Sequence, residues 1–101
     1  MDKFVAISDP TRRKIIEMLS IKELTSGEIA DHFQCSAPAI SQHLKVLKTV
    51  DIVGMRIDAQ KRVYSLRKES LKEVECWASE VSRIWNKQLD SLEQALNQPE
   101  N

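Results

Sequence analysis

The stretch Ser36-Ala37-Pro38-Ala39-Ile40-Ser41-Gln42-His43-Leu44-Lys45-Val46-Leu47-Lys48 decides the fold. Ser36 is a residue of N-cap type, and Ala37, Pro38 and Ala39 make a small first turn with proline where its missing N–H is harmless. Ile40, Leu44 and Leu47 then recur at helical intervals, a narrow apolar stripe on a helix expected from about Ala37 to Val50. The remaining face is polar: Ser41, Gln42, His43, Lys45 and Lys48. A helix whose amino-terminal face is small and polar can enter the major groove of DNA with few clashes.

Upstream, Thr25-Ser26-Gly27-Glu28 has the spacing of a capping box, a Thr with Glu three residues later. It opens a short helix in which Ile29, Ala30 and Phe33 face inward and which ends near Phe33. Gln34 and Cys35 turn the chain before Ser36. Two short helices separated by about three residues have the spacing of a helix-turn-helix. Earlier still, Asp9-Pro10 starts a helix that runs to about Ser20, with Ile15, Ile16 and Leu19 on one face and Arg12, Arg13 and Lys14 mostly on the other. Residues 2–7, with Phe4, Val5 and Ile7, read as a shorter helix before it.

Downstream the period changes. Ile52, Val53, Met55 and Ile57, then Val63, Tyr64 and Leu66, flank a polar tip, Asp58-Ala59-Gln60-Lys61, and predict one β-hairpin carrying Arg56, Lys61 and Arg62. A basic hairpin after a helix-turn-helix is the plan of a winged helix, mainly α with one β-hairpin. The last third predicts one long helix over 68–96, for which Ser70 and Glu73 have the spacing of a second capping box. Leu71, Ala78, Trp85 and Leu92 fall seven apart, with Val74, Val81, Gln88 and Ala95 three after each, flanked by Ile84, Leu89 and Leu96. At about 1.5 Å per residue such a helix is about 40 Å long, more than a small core needs. Its surplus apolar face calls for a partner, most simply the same helix of a second chain. Residues 97–101 are expected to fray.

A chain of 101 residues fits one domain, here 1–96, and two glycines and three prolines suit long helices better than many strands. Fifteen basic and fifteen acidic residues cancel, so an electrostatic argument for nucleic acid must be local. From Ser36 to Arg67 six bases, Lys45, Lys48, Arg56, Lys61, Arg62 and Arg67, face two acids, Asp51 and Asp58. No apolar run approaches the ~18 residues of a membrane span, and the first residues carry no secretory pattern. A protein of the reducing cytoplasm is the expectation. Cys35 and Cys76 form no metal-binding spacing; Cys35 sits where a small apolar residue would pack in the turn, and a redox pairing of the two is the minor alternative. With two histidines, His32 and His43, on separate helices, no nucleophile elbow and no phosphate-cradling glycine loop, enzyme chemistry has no support.

The series Ala6-Ile7-Ser8-Asp9-Pro10-Thr11-Arg12-Arg13, then Glu28-Ile29-Ala30, then Ser36 through Leu47, then Val63-Tyr64-Ser65-Leu66, resembles the ArsR/SmtB family of bacterial winged-helix repressors over nearly the whole chain. The tail, with Trp77, Trp85 and Leu89-Asp90-Ser91-Leu92-Glu93, resembles a branch of that family without metal motifs. The resemblance implies a homodimer packed through helices of both ends. It also implies binding to an inverted-repeat operator, and repression, often of the protein's own operon, relieved by some signal. Metal-sensing members carry a cysteine pair in the helix before the turn; the corresponding places here are near Thr25 and Ser26, and residues 68–96 contain no histidine. The family often has glycine before the first hairpin strand and at its tip, where this chain has Asp51 and Ala59, which leaves the geometry of the wing turn open.

The expected DNA contacts are Ser36, Ala37, Pro38, Ala39, Ser41, Gln42 and His43 in and before the recognition helix, with Lys45, Arg56, Lys61 and Arg62 as phosphate contacts. Gln suits adenine, Ser is permissive, and cationic heads track backbone charge. The expected dimer interface is Phe4, Leu71, Val74, Ala78, Val81, Trp85 and Leu92. The partners are double-stranded DNA and a second copy, with no cofactor and no metal. The alternative is a winged-helix module for protein interaction, for which the zero net charge argues.

Overall fold

The computed structural model describes residues 2–97; of the end expected to fray, 97–101, Asn97 is instead the last residue of a helix, and the rest lies outside the described residues. The chain divides into two compact units, residues 1–71 and 72–101. The first unit opens with α1 (Lys3–Ala6), capped by Asp2 Oδ1 on the Val5 N–H, and α2 (Pro10–Leu19), where Asp9 Oδ2 accepts from the Arg12 N–H at 3.0 Å and Pro10 takes the first helical position. Then come β1 (Leu24–Thr25), α3 (Ser26–Asp31), α4 (Ala37–Thr49), β2 (Val53–Asp58) and β3 (Lys61–Leu66). The last element, α5 (Lys68–Asn97), begins in this unit and makes up the described part of the second.

The capping box forms as expected. Thr25 Oγ1 accepts from the Glu28 N–H at 3.2 Å and Glu28 Oε1 accepts from the Thr25 N–H at 2.9 Å. Ser36 Oγ accepts from the Ala39 N–H and caps α4. The other end of α4 closes as a Schellman motif: Ile52 N–H donates to Leu47 O, Asp51 N–H donates to Lys48 O, both at 3.0 Å, and Asp51 between them has φ 65°. Asp51 thus holds the left-handed position that glycine usually fills. Its carboxylate takes Arg67 Nε at 3.1 Å and the Ser70 hydroxyl at 3.4 Å, and the Arg67 head lies over Gly54, where a Cβ would stand 3.1 Å from it.

The expected hairpin forms as β2 and β3, and a third strand joins it: β1 pairs antiparallel with β3, Leu24 opposite Tyr64 and Thr25 opposite Val63, giving the order β1-β3-β2. A two-residue strand leaves no periodic signal; it forms because Leu24 is buried in the core while Thr25 caps α3. Ile52 precedes the hairpin and belongs to the α4 cap. Ser70 is not an N-cap, because α5 starts at Lys68; the residue is buried and its hydroxyl serves Asp51. Cys35 is exposed rather than packed, since Phe33 supplies the apolar contact of the turn to the core.

The core of the first unit joins Ala6, Ile15, Leu19, Leu24, Ile29, Ile40, Leu44, Leu47, Ile52, Val53 and Tyr64. The stripe Ile40, Leu44 and Leu47 is fully buried, and α4 packs against α1, α2, α3 and β2. Burying that stripe fixes the rotation of α4 about its own axis, and so fixes which residues it offers outward.

Candidate nucleic-acid interface

With the stripe inward, Ala37, Pro38, Ser41, Gln42, Lys45 and Lys48 are exposed, as is the cap Ser36; Ala39 and His43 are half-buried on the flanks. Ser41, Lys45 and Lys48 follow one another at helical spacing, so both lysines extend the face that Ser41 begins. Lys48 was not among the expected contacts, although this spacing is present in the sequence.

The wing turns at Asp58-Ala59-Gln60-Lys61. Ala59 and Gln60 have φ 49° and 71°, and Asp58 pairs with Lys61, a two-residue turn with both central residues left-handed. The geometry left open by the absence of glycine is therefore the usual tight hairpin turn, made with residues that carry a Cβ. Strand alternation sorts the wing cations between the two faces of the sheet. Met55 opposes Tyr64 and Ile57 opposes Arg62, so Arg62 shares a face with Met55 and Tyr64. Arg56, opposite Val63, and Lys61, opposite Asp58, belong to the other face.

The first of these faces and α4 form an open groove lined by Pro38, Ser41, Gln42, Lys45, Lys48, Met55, Arg62 and Tyr64. Three cations line it, and among the described residues no carboxylate does. Lys61 instead lines a second concavity with Thr25, Gly27, Glu28, Asp31 and Arg62, where two carboxylates offset the cations. The bonds to the Thr25 backbone N–H and hydroxyl hold the Glu28 carboxyl below its ordinary pKa, with Lys22 and Lys61 adding to the effect. Arg56 Nη1, on β2, donates to Glu23 Oε2, just before β1, at 2.7 Å, an exposed pair. Arg62 borders both concavities and is the wing cation that reaches the recognition helix, whereas Arg56 pairs with Glu23 and Lys61 lines only the acid-bearing one.

His43 faces the start of α2. Its Nδ1 lies 3.3 Å from Arg12 Nη1 and 3.9 Å from Asp9 Oδ2. Asp9 is held below its ordinary pKa first by the Arg12 N–H, with His43 and the Arg12 charge contributing. Arg12 also donates from Nε to the Ala6 carbonyl at 2.6 Å, and Arg13 Nη1 donates to the Ile7 and Ser8 carbonyls at 3.1 Å. Both arginines stitch the end of α1 to α2. Sequence reading placed them only on a polar face, because neither carbonyl partners nor His43 announce themselves at that distance along the chain.

Of the expected dimer residues, Leu71 packs against the core of its own unit, and Phe4 and Val74 are half-buried. Ala78, Val81, Trp85 and Leu92 are exposed, as are Trp77, Ile84 and Leu89. No group of three or more His, Cys, Asp or Glu side chains among the described residues is placed to hold a metal ion. No helix among them is long and apolar enough to cross a membrane.

A helix-turn-helix followed by a wing, with a cation-lined groove between recognition helix and sheet, defines a winged-helix DNA-binding protein. The profile described as "Bacterial regulatory protein, arsR family" matches residues 9–54, from the cap of α2 into β2. The chain is 43% identical over 74 residues to the transcriptional repressor SdpR of Bacillus subtilis (strain 168), covering 73% of this chain and 82% of that one. It is 38% identical over 92 residues to the HTH-type transcriptional regulator Rv2034 of Mycobacterium tuberculosis (strain ATCC 25618 / H37Rv), covering 91% and 83%. A solved structure titled as a possible transcriptional regulator for arsenical resistance superposes with a TM-score of 0.74 at 32% identity, over 99% of both chains. The chain belongs to the arsR family of bacterial regulatory proteins. It is a DNA-binding transcriptional regulator; the family and these relatives are regulators, not enzymes.

Proposed function

We propose that the chain represses transcription as a homodimer bound to an inverted-repeat operator, its own promoter among the candidates. In this reading α4 of each protomer enters the major groove and the wing lies against flanking phosphates, with the two recognition helices about 34 Å apart. The observation that carries it is the groove where Lys45, Lys48 and Arg62 gather without a carboxylate, in a chain whose total charge is zero. Ser41 and Gln42 read base edges. Ser36, Ala37, Pro38 and Ala39 let the first turn approach closely, and His43 contacts the duplex from the flank. Lys45, Lys48 and Arg62 neutralise phosphates, with Arg56 and Lys61 as weaker contacts because acids already face them.

The second copy is supported by α5. Val81, Ile84, Trp85, Leu89 and Leu92 repeat at helical spacing and are exposed in the single chain. Such a row is costly to leave in water and is the usual mark of an association surface. Residues 1–96 then act as one DNA-binding module, with 68–96 as its dimerisation helix. Leu71 contributes least to pairing, because it is already packed at home. Repression, rather than activation, follows the relative named as a repressor.

The test is a footprint and gel-shift series on the DNA upstream of the gene, repeated from low to moderate salt. The expected result is protection of two half-sites and an affinity that falls with salt, the logarithmic slope being roughly −0.9 per neutralised phosphate. A flat salt response would discredit the interface. Failure to retard any upstream DNA, together with capture of a protein partner, would favour a protein-interaction module instead.

A further inference from the structure

Arg12 is anchored before it reaches α4. Its Nε donates to the Ala6 carbonyl at 2.6 Å and its Nη2 to the Val5 carbonyl at 3.5 Å, which also accepts from Ser8, so the guanidinium lies across the carbonyls that end α1. From there Nη1 stands 3.3 Å from His43 Nδ1. A guanidinium has donors and no acceptor, so this contact is a hydrogen bond only when Nδ1 offers its lone pair. The ring proton then resides on Nε2. The nearby acid does not claim Nδ1: Asp9 Oδ2 is 3.9 Å away, outside hydrogen-bond distance, and it already accepts from the Arg12 backbone N–H. Without the Arg12 head, a proton on Nδ1 would find Asp9 as its acceptor, and Nε2 would be left an acceptor, unable to donate to a phosphate.

We propose that Arg12 is a positioning residue of the interface: acting through His43, it fixes the imidazole in the Nε2–H form, so that α4 presents an N–H donor to a backbone phosphate oxygen beside Ser41 and Gln42. This rests on the DNA-binding mode proposed above. The contact is a neutral hydrogen bond from the flank of the recognition helix. It adds affinity without adding a cation, and it reads no base.

Two measurements at about pH 8, above the ordinary imidazole range, test it. In the free protein, long-range 15N–1H correlations report which ring nitrogen carries the proton, with His32→Gln separating the two histidines. Wild type is expected to show Nε2–H at His43, and Arg12→Met to shift that ring toward Nδ1–H. On an operator duplex, Arg12→Met is expected to weaken binding roughly three- to tenfold, the worth of one hydrogen bond. The same change in a His43→Ala background should cost nothing further. Should Arg12→Met fold poorly, the His43 variants still decide: His43→Gln, whose amide nitrogen falls near the Nε2 position, should bind better than His43→Ala. Neither should change the salt slope, since no charge is lost.

A wild-type spectrum with the proton on Nδ1 would overturn the proposal, as would additive losses in the double variant. A salt slope reduced by about one per half-site in His43→Ala would mean a cationic contact and overturn it equally. Failure of the wild-type protein itself to bind any upstream DNA would sink the interface, and the role of Arg12 with it. The free-protein spectra fail or stand independently of that.

Discussion

Gln42 and Arg62 meet one groove from opposite walls, one from a helix and one from a strand. Their chemistry separates them. Gln42→Ala should relax base preference at one position per half-site by about 1–3 kcal/mol, measured by competition with single-base operator variants, while leaving the salt dependence alone. Arg62→Ala should weaken binding to every sequence alike and reduce the salt slope by about one per half-site. Arg56→Ala should do less than Arg62→Ala, because the Arg56 guanidinium is already shared with Glu23. Equal effects would show that the sorting of cations by strand alternation has no consequence for binding. Ser41, Gln42 and Lys45 are legible in the sequence because their spacing relative to Ile40, Leu44 and Leu47 settles which way they face. The engagements of Arg56 with Glu23 and of His43 with Arg12 are not, because each joins side chains more than thirty residues apart.

At the scale of elements, caps and turns carry local chemistry that responds to pH and substitution. The carboxyls of Asp9 and Glu28, both capping-type groups at helix N-termini, titrate below their ordinary values, chiefly through bonds from the Arg12 and Thr25 backbone N–H groups. A carboxyl whose pKa is depressed by folding stabilises the fold above its unfolded pKa and loses that contribution as pH falls through the folded one. Stability should therefore decline as the medium is acidified from about pH 5 downward, and Asp9→Asn, which keeps a capping oxygen but does not titrate, should flatten part of that decline in denaturant titrations. The wing turn offers an opposite test. Ala59 and Gln60 hold left-handed conformations that cost a residue with a Cβ about 1–2 kcal/mol each. Replacing the pair by Asn-Gly should raise unfolding free energy by about 1 kcal/mol, read by chemical denaturation, with the register of β2 and β3 unchanged. The hairpin was legible from its β-branched runs. Its turn type was not, since neither residue advertises a positive φ, and pairing of Asp58 with Lys61 imposes one on both.

For the whole molecule the decisive quantity is the apolar row on α5. Val81→Glu places a charge in the row that includes Ile84 and Trp85. Light scattering at micromolar concentration should then report a monomer, against the dimer expected of the wild type, and operator binding should fall with it, because one half-site alone holds weakly. A Val81→Glu protein that remains dimeric would show that pairing does not use this face. The heptad spacing of Leu71, Ala78, Trp85 and Leu92 is readable in the sequence, whereas the half-buried packing of Leu71 against the core of its own unit is not. Spacing places a residue on a face; only the packed chain shows which neighbours that face already has.

The order of the helices, the caps Asp9, Thr25 and Ser36, and the outward face of α4 were determined by the sequence alone. Each depends on residues within a turn or two, where geometry is dictated by helical period and backbone hydrogen bonding. The tertiary structure decided the third strand, the exposure of Cys35, the hydrogen bond of buried Ser70 to Asp51, and which wing cation, Arg62, reaches the carboxylate-free groove. These depend on contacts between segments distant in sequence, and such contacts exist only once burial of the shared core has brought those segments together.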